Sequence, residues 1–133
     1  MRGRAAPVTK KRLISHGAPD EIFLMGDLGL QVDIATLVSR VNAAPRGELD
    51  IRESPTADLI EVARRNGFNP FKTVSTERMR EPLLLLTFTY QGQRQHWIVD
   101  GTHRLHARHR LGKPTTRFVA LKADMVQDLV RHR

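Results

Sequence analysis

The sequence contains no cysteine. Disulfide scaffolds, thiolate zinc sites and a cysteine nucleophile are excluded together. Long apolar runs are also missing. None exceeds four residues, as in Leu83–Leu86, against the roughly 20 that a membrane-spanning helix needs. Aromatic residues are scarce, with one Trp, one Tyr and five Phe, so a base-stacking platform for single strands is poorly supplied. The N-terminus is basic, but no apolar stretch follows it and it does not read as a signal peptide. The expectation is a cytoplasmic protein with no membrane partner.

What is present is a chain of 133 residues, 40% apolar, with a formal net charge of +8. That is about one domain in length, enough to bury a core without covalent staples. The charge is unevenly spread. Residues 1–12 carry five basic groups and no acid; residues 13–90 carry eight basic and eleven acidic groups; residues 91–133 carry nine and three. Two basic ends around a mildly acidic middle point to a polyanionic partner, a nucleic acid or a phosphorylated ligand.

Residues 1–15 read as a disordered basic arm and residues 16–133 as one mixed α/β domain. Ile22–Met25 and Leu30–Val32 are expected to be short strands. Asp33 stands before Ile34, Leu37, Val38 and Val41, an amphipathic helix with an N-cap. Leu49 and Ile51 alternate with charges as in an edge strand. Ser54 and Pro55 mark the start of a second helix bearing Leu59, Ile60 and Ala63, stopped at Gly67. Residues 68–74 read as extended through Pro70. Leu83–Tyr90 is the strongest strand, joined through Gln91–Arg94 to a returning strand His96–Val99. A sharp turn at Asp100–Thr102 leads into a helix over 103–111, then a strand over 114–121. Asp124 is expected to cap a terminal helix carrying Met125, Leu129 and Val130. Trp97, Phe68 and Phe71 are read as core.

The chemistry concentrates at Asp100-Gly101-Thr102-His103-Arg104. A strand runs into a tight turn and then a helix. Gly101 lets a ligand approach the backbone with no Cβ in the way. The first helical amides have no intrahelical acceptor, and with the helix dipole they make an anion site. Thr102 adds a hydroxyl, and Arg104 can set a guanidinium fork on phosphate oxygens. Asp100 would repel phosphate; it holds the turn, positions Arg104, or meets a metal that bridges to phosphate. Arg104, Arg108 and Arg110 read as a basic helix face that flanks a nucleotide or meets a DNA backbone. His103, His106 and His109 recur every three residues, but the first and last project about 120° apart on a helix, so they do not converge on one metal.

These residues resemble a known family. Ile98-Val99-Asp100-Gly101-Thr102-His103-Arg104-Leu105-His106-Ala107, with Leu111-Gly112, looks like the Gly-x-x-Arg turn of the ParB/sulfiredoxin superfamily in its Asp-Gly-x-His-Arg form. Leu59–Phe71, a helix ending in Asn66-Gly67 and leading through Pro70, is similar to that family's upstream segment. The resemblance covers about residues 55–122. It implies a small mixed-sheet fold in which Gly101, Thr102, His103 and Arg104 hold nucleotide phosphates, with Arg108 beside them. The nucleotide is CTP in the partition proteins, ATP in sulfiredoxins and ADP in a serine-kinase branch, with Mg2+ as companion. Thr102 stands where sulfiredoxin chemistry needs cysteine, so that activity is excluded. The short stretch after the last strand has no room for the partition proteins' helix-turn-helix domain. Phosphate hydrolysis or transfer would draw on Asp100 and His103, with Glu21, Asp27 and Asp33 as further acids. The alternatives are a DNA-binding regulatory module using the basic arm and helix 103–110, and a nuclease of plasmid or phage type with Asp100 on a metal.

Overall fold

The computed structural model describes residues 12–15, 20–65 and 74–133. The arm over 1–11, and Gly67, Phe68, Pro70 and Phe71 of the upstream segment, lie outside the described residues. Among the described residues seven strands run in chain order as β1 (Ile22–Met25), β2 (Leu30–Asp33), β3 (Ile51–Pro55), β4 (Leu83–Tyr90), β5 (Gln93–Asp100), β6 (Thr115–Leu121) and β7 (Val130–His132). Four α-helices accompany them among the described residues: α1 (Ile34–Ala43), α2 (Thr56–Val62), α3 (Thr102–Arg110) and α4 (Ala123–Val126). Among the described residues, no helix is long and apolar enough to cross a membrane.

The strands form two sheets, a three-stranded one ordered β1-β2-β7 and a four-stranded one ordered β3-β6-β4-β5. In the larger sheet β4 and β5 form an antiparallel hairpin, and β6 joins β4 in parallel from Leu83↔Phe118 to Leu86↔Leu121. A parallel neighbour requires a crossover, and α3 supplies it between β5 and β6.

Side-chain alternation along the large sheet divides the core. Leu84, Leu86, Trp97, Val99, Val119 and Leu121 face α1 and the small sheet, where Met25, Val32, Leu37, Val38 and Val41 meet them. Leu83, Ile98 and Phe118 face the other way, against Leu59 and Ala63 from α2 and its extension and Leu105 from α3. Trp97 is buried and packs edge-to-face with Phe23, ring centroids 6.0 Å apart.

Three sequence expectations are corrected. Residues 12–15 do not belong to a disordered arm: Ile14 is fully buried, its N–H donates to Asn42 Oδ1 at 2.9 Å, and its carbonyl accepts from Asn42 Nδ2 at 2.7 Å. Ser54 and Pro55 do not open the second helix. They end β3, paired with Thr116 and Thr115, and α2 starts at Thr56. The terminal helix stops at Val126, and the chain closes through a 3-10 turn into β7, which pairs with β2. Val130 is β-branched and finds Val32 across the sheet, a better place for it than a helix end.

Candidate functional site: the turn between β5 and α3

β5 delivers Asp100 to the edge of the helix-bearing face of the large sheet. Gly101 follows at φ +102°, ψ 10° and serves as the N-cap of α3 without a side chain to cap it. A Cβ there would lie 2.7 Å from Leu83 Cδ2 and 2.8 Å from Arg104 Nη2. Glycine is therefore required twice, by the positive φ and by the absence of space. The Gly101 carbonyl accepts from Leu105 N at 2.9 Å, starting the helix at once.

The roll of α3 is set by its two aliphatic residues. Leu105 is fully buried against Leu83, Ile98 and Phe118, and Ala107 is also inside. Arg108 follows Leu105 by three residues and Arg104 by four, so the two arginines form one stripe beside the Leu105 face and are carried inward with it. Arg104 is only 4% exposed. Its Nη2 donates to the Pro82 carbonyl at 2.9 Å and to Asp100 Oδ2 at 3.2 Å, while its Nε is buried with no partner. Arg108 donates from Nε to Thr116 Oγ1 at 3.0 Å, from Nη1 to the Met79 carbonyl at 3.3 Å and from Nη2 to the Thr115 carbonyl. Thr56 Oγ1 meets Thr116 Oγ1 at 2.8 Å and completes the network.

This overturns the reading of Arg104, Arg108 and Arg110 as one outward basic face. Only Arg110 of the three is exposed, beside His109. The expected DNA-facing surface of helix 103–110 is not assembled, because main-chain carbonyls have taken two of its cations. The guanidinium of Arg104 does not lie over the turn as a fork for phosphate. It lies beneath, holding Asp100 and the Pro82 carbonyl just before β4, while Arg108 holds the 3-10 segment Arg78–Arg80 through the Met79 carbonyl.

Of the other predicted residues, Thr102 is buried and His103 partly exposed at the first turn of α3. Asp100 is 13% exposed, with its carboxylate on Arg104. His106 is held below the usual imidazole range, first by burial and then by His109 and Arg110. Among the described residues, no three His, Asp or Glu side chains gather to hold a metal ion. Glu21, Asp27 and Asp33 are not brought to the turn. They sit in and beside the small sheet, across the large sheet from α3, and Asp33 is occupied as the cap of α1. The partners that sequence reasoning missed are the carbonyls of Met79, Pro82 and Thr115. A carbonyl is common to all residues and leaves no trace in sequence.

No family model, no curated protein and no solved structure matches this chain.

Proposed function

We propose that the chain is a nucleotide-binding domain of the ParB/sulfiredoxin kind, which takes phosphate groups at the β5–α3 turn. One observation carries the reading: Gly101, at φ +102° and with no room for a Cβ, caps α3 directly over a buried guanidinium. Main-chain amides at a helix start favour an anion, and a close backbone approach is what a bare glycine provides. Asp100 and Arg104 act as positioning residues. Their ion pair and the bond to the Pro82 carbonyl fix the path of the turn. The residues that meet phosphate are then the amides of the turn, the Thr102 hydroxyl and the His103 imidazole, with Arg108 bracing the helix from inside. CTP, ATP and ADP, with or without Mg2+, are the candidate nucleotides. Asp100 is engaged with Arg104, so His103, partly exposed at the first turn of α3, is the group placed to move a proton should phosphate be hydrolysed or transferred.

Calorimetric titration of the full chain with CTP, ATP and ADP, with and without magnesium, tests this. One of them is expected to bind. His103→Glu, at a partly exposed position, keeps the fold while placing a negative charge at the helix start, and is expected to weaken binding at least tenfold. Absence of binding to all three, or equal affinity in the folded variant, overturns the proposal.

A further inference from the structure

Among the described residues the two sheets end in four strand edges, β1 and β7 in the small sheet and β3 and β5 in the large one. Exposed edges are ordinarily guarded by charge or proline against pairing with another chain. Three of the four follow that rule. β3 carries Arg52, Glu53 and Pro55, β5 carries Arg94 and His96, and β7 carries Arg131 and His132. β1 is Ile22-Phe23-Leu24-Met25, with no charge and no proline at any position.

The hydrogen bonds of β1 show which groups are left over. Ile34 N donates to the Glu21 carbonyl at 3.0 Å, a bonded pair in register with Ile22↔Asp33. Antiparallel bonding alternates, so Phe23 and Met25 turn their main chain to β2, and Ile22 and Leu24 turn theirs outward. β2 agrees from its other side. Arg133 N donates to the Gly29 carbonyl at 2.9 Å, so Gln31↔Arg131 is the next bonded pair, and Gln31 has no main-chain bond left for Leu24. The side chains divide in the same way. Phe23 packs on Trp97 and Met25 is fully buried, whereas Ile22 and Leu24 are each 50% exposed. Free donors, free acceptors and uncovered aliphatic side chains thus coincide at Ile22 and Leu24.

The register selects the occupant. An antiparallel strand joins this edge by setting its own outward residues opposite Ile22 and Leu24. A second β1 does so about a twofold axis at Phe23. Ile22 then meets the partner's Leu24, and Leu24 meets the partner's Ile22, each as a bonded pair, and the four side chains form one aliphatic cluster. The neighbouring acids do not oppose one another, because Asp20 comes opposite the partner's Gly26 and Glu21 opposite the partner's Met25. Moving the axis to Ile22 sets Leu24 against the partner's Asp20, and moving it to Leu24 sets Ile22 against the partner's Gly26, so the match is lost in both. We infer that the chain pairs with a second copy of itself through β1, joining two small sheets into one of six strands, β7-β2-β1-β1-β2-β7. The contact is isologous and uses up both open edges. The ends of the joined sheet are then β7 with Arg131 and His132, and assembly stops at the dimer.

Sedimentation equilibrium of the full chain tests this. A monomer–dimer equilibrium is expected, with no larger species. Leu24→Glu places a guard at an exposed position, so the circular dichroism should stay unchanged while the dissociation constant rises at least tenfold. Leu24→Val should dimerise normally. Leu111→Glu, at the third exposed large apolar side chain among the described residues, should leave the dimer intact. In amide exchange, Ile22 and Leu24 are expected to gain protection as protein concentration rises, and not to do so in Leu24→Glu. Both copies bring acids to the contact, so added salt should tighten the dimer. A chain that stays monomeric at NMR concentrations, association unaffected by Leu24→Glu or equally weakened by Leu111→Glu, or protection gained elsewhere than β1 would each overturn the proposal. Association that weakens with salt would overturn it in favour of the acids beside β1 receiving the basic residues 1–12.

Discussion

Arg104 shows what a single residue can and cannot disclose from sequence. Its place three residues after Gly101 marks it as part of the turn, and that much is legible. Its direction is not, because α3 carries only Leu105 and Ala107 as aliphatic guides, and the inward face is decided by where Leu83, Ile98 and Phe118 leave room. The ion pair with Asp100 is nearly buried. Removing one member of such a pair leaves the other uncompensated, at a cost of about 3–5 kcal/mol. Arg104→Ala is expected to lose stability on that scale in urea unfolding. Asp100→Leu combined with Arg104→Met should lose distinctly less than the two single changes added, because neither charge is then stranded. Additive losses would show that the pair is not a unit.

At the scale of elements, α1 was readable in full. Asp33 caps it as the pattern predicts, accepting from Thr36 N at 3.1 Å and from Thr36 Oγ1 at 2.8 Å. Those bonds hold its carboxyl below the usual carboxylate range. Asp33→Ala should cost about 1 kcal/mol, the ordinary value of a cap, read as a shift of the urea midpoint with an unchanged slope. Asp33→Asn should recover most of it. The β4–β5 hairpin was legible as a hairpin, since a strongly β-prone run meets Gln91-Gly92 and returns, but Gln93 and Arg94, read as part of the connection, already belong to β5. The chain end was not. Residues 123–130 have helical spacing for one turn only, and the pairing of β7 with β2 joins residues about a hundred positions apart, which no local pattern records. For the same reason the division into two sheets could not be foreseen, although the mixed α/β class could.

For the whole molecule, acid is the informative perturbation. Arg40 on α1 reaches both Asp128 oxygens at 2.7 Å and the Met125 carbonyl at 3.0 Å, linking α1 to the segment between α4 and β7. The Asp128 carboxyl is held at about 2, chiefly by the bonds it accepts from Arg40. A carboxyl lowered on folding contributes stability that is complete above its unfolded value near 4 and is lost as pH falls through its folded value. Wild type and Asp128→Asn are expected to differ in thermal midpoint at neutral pH and to converge by about pH 2. His106 works in the same direction nearer neutrality. Burial holds its imidazole below the usual range, so acidification through that range favours the unfolded chain.

The bracing of α3 also bears on how this sequence can drift. Arg104 and Arg108 grip Pro82, Met79 and Thr115 by their carbonyls, and a carbonyl survives almost any substitution of its own residue. The obligation is therefore lopsided. One partner of each bond is a specific side chain, and the other is whatever residue happens to stand there. Over long divergence the loop over 78–82 and the start of β6 are free to change their chemistry while the two arginines stay fixed, so that what persists is a sparse pair of cations in a helix whose surroundings no longer look alike.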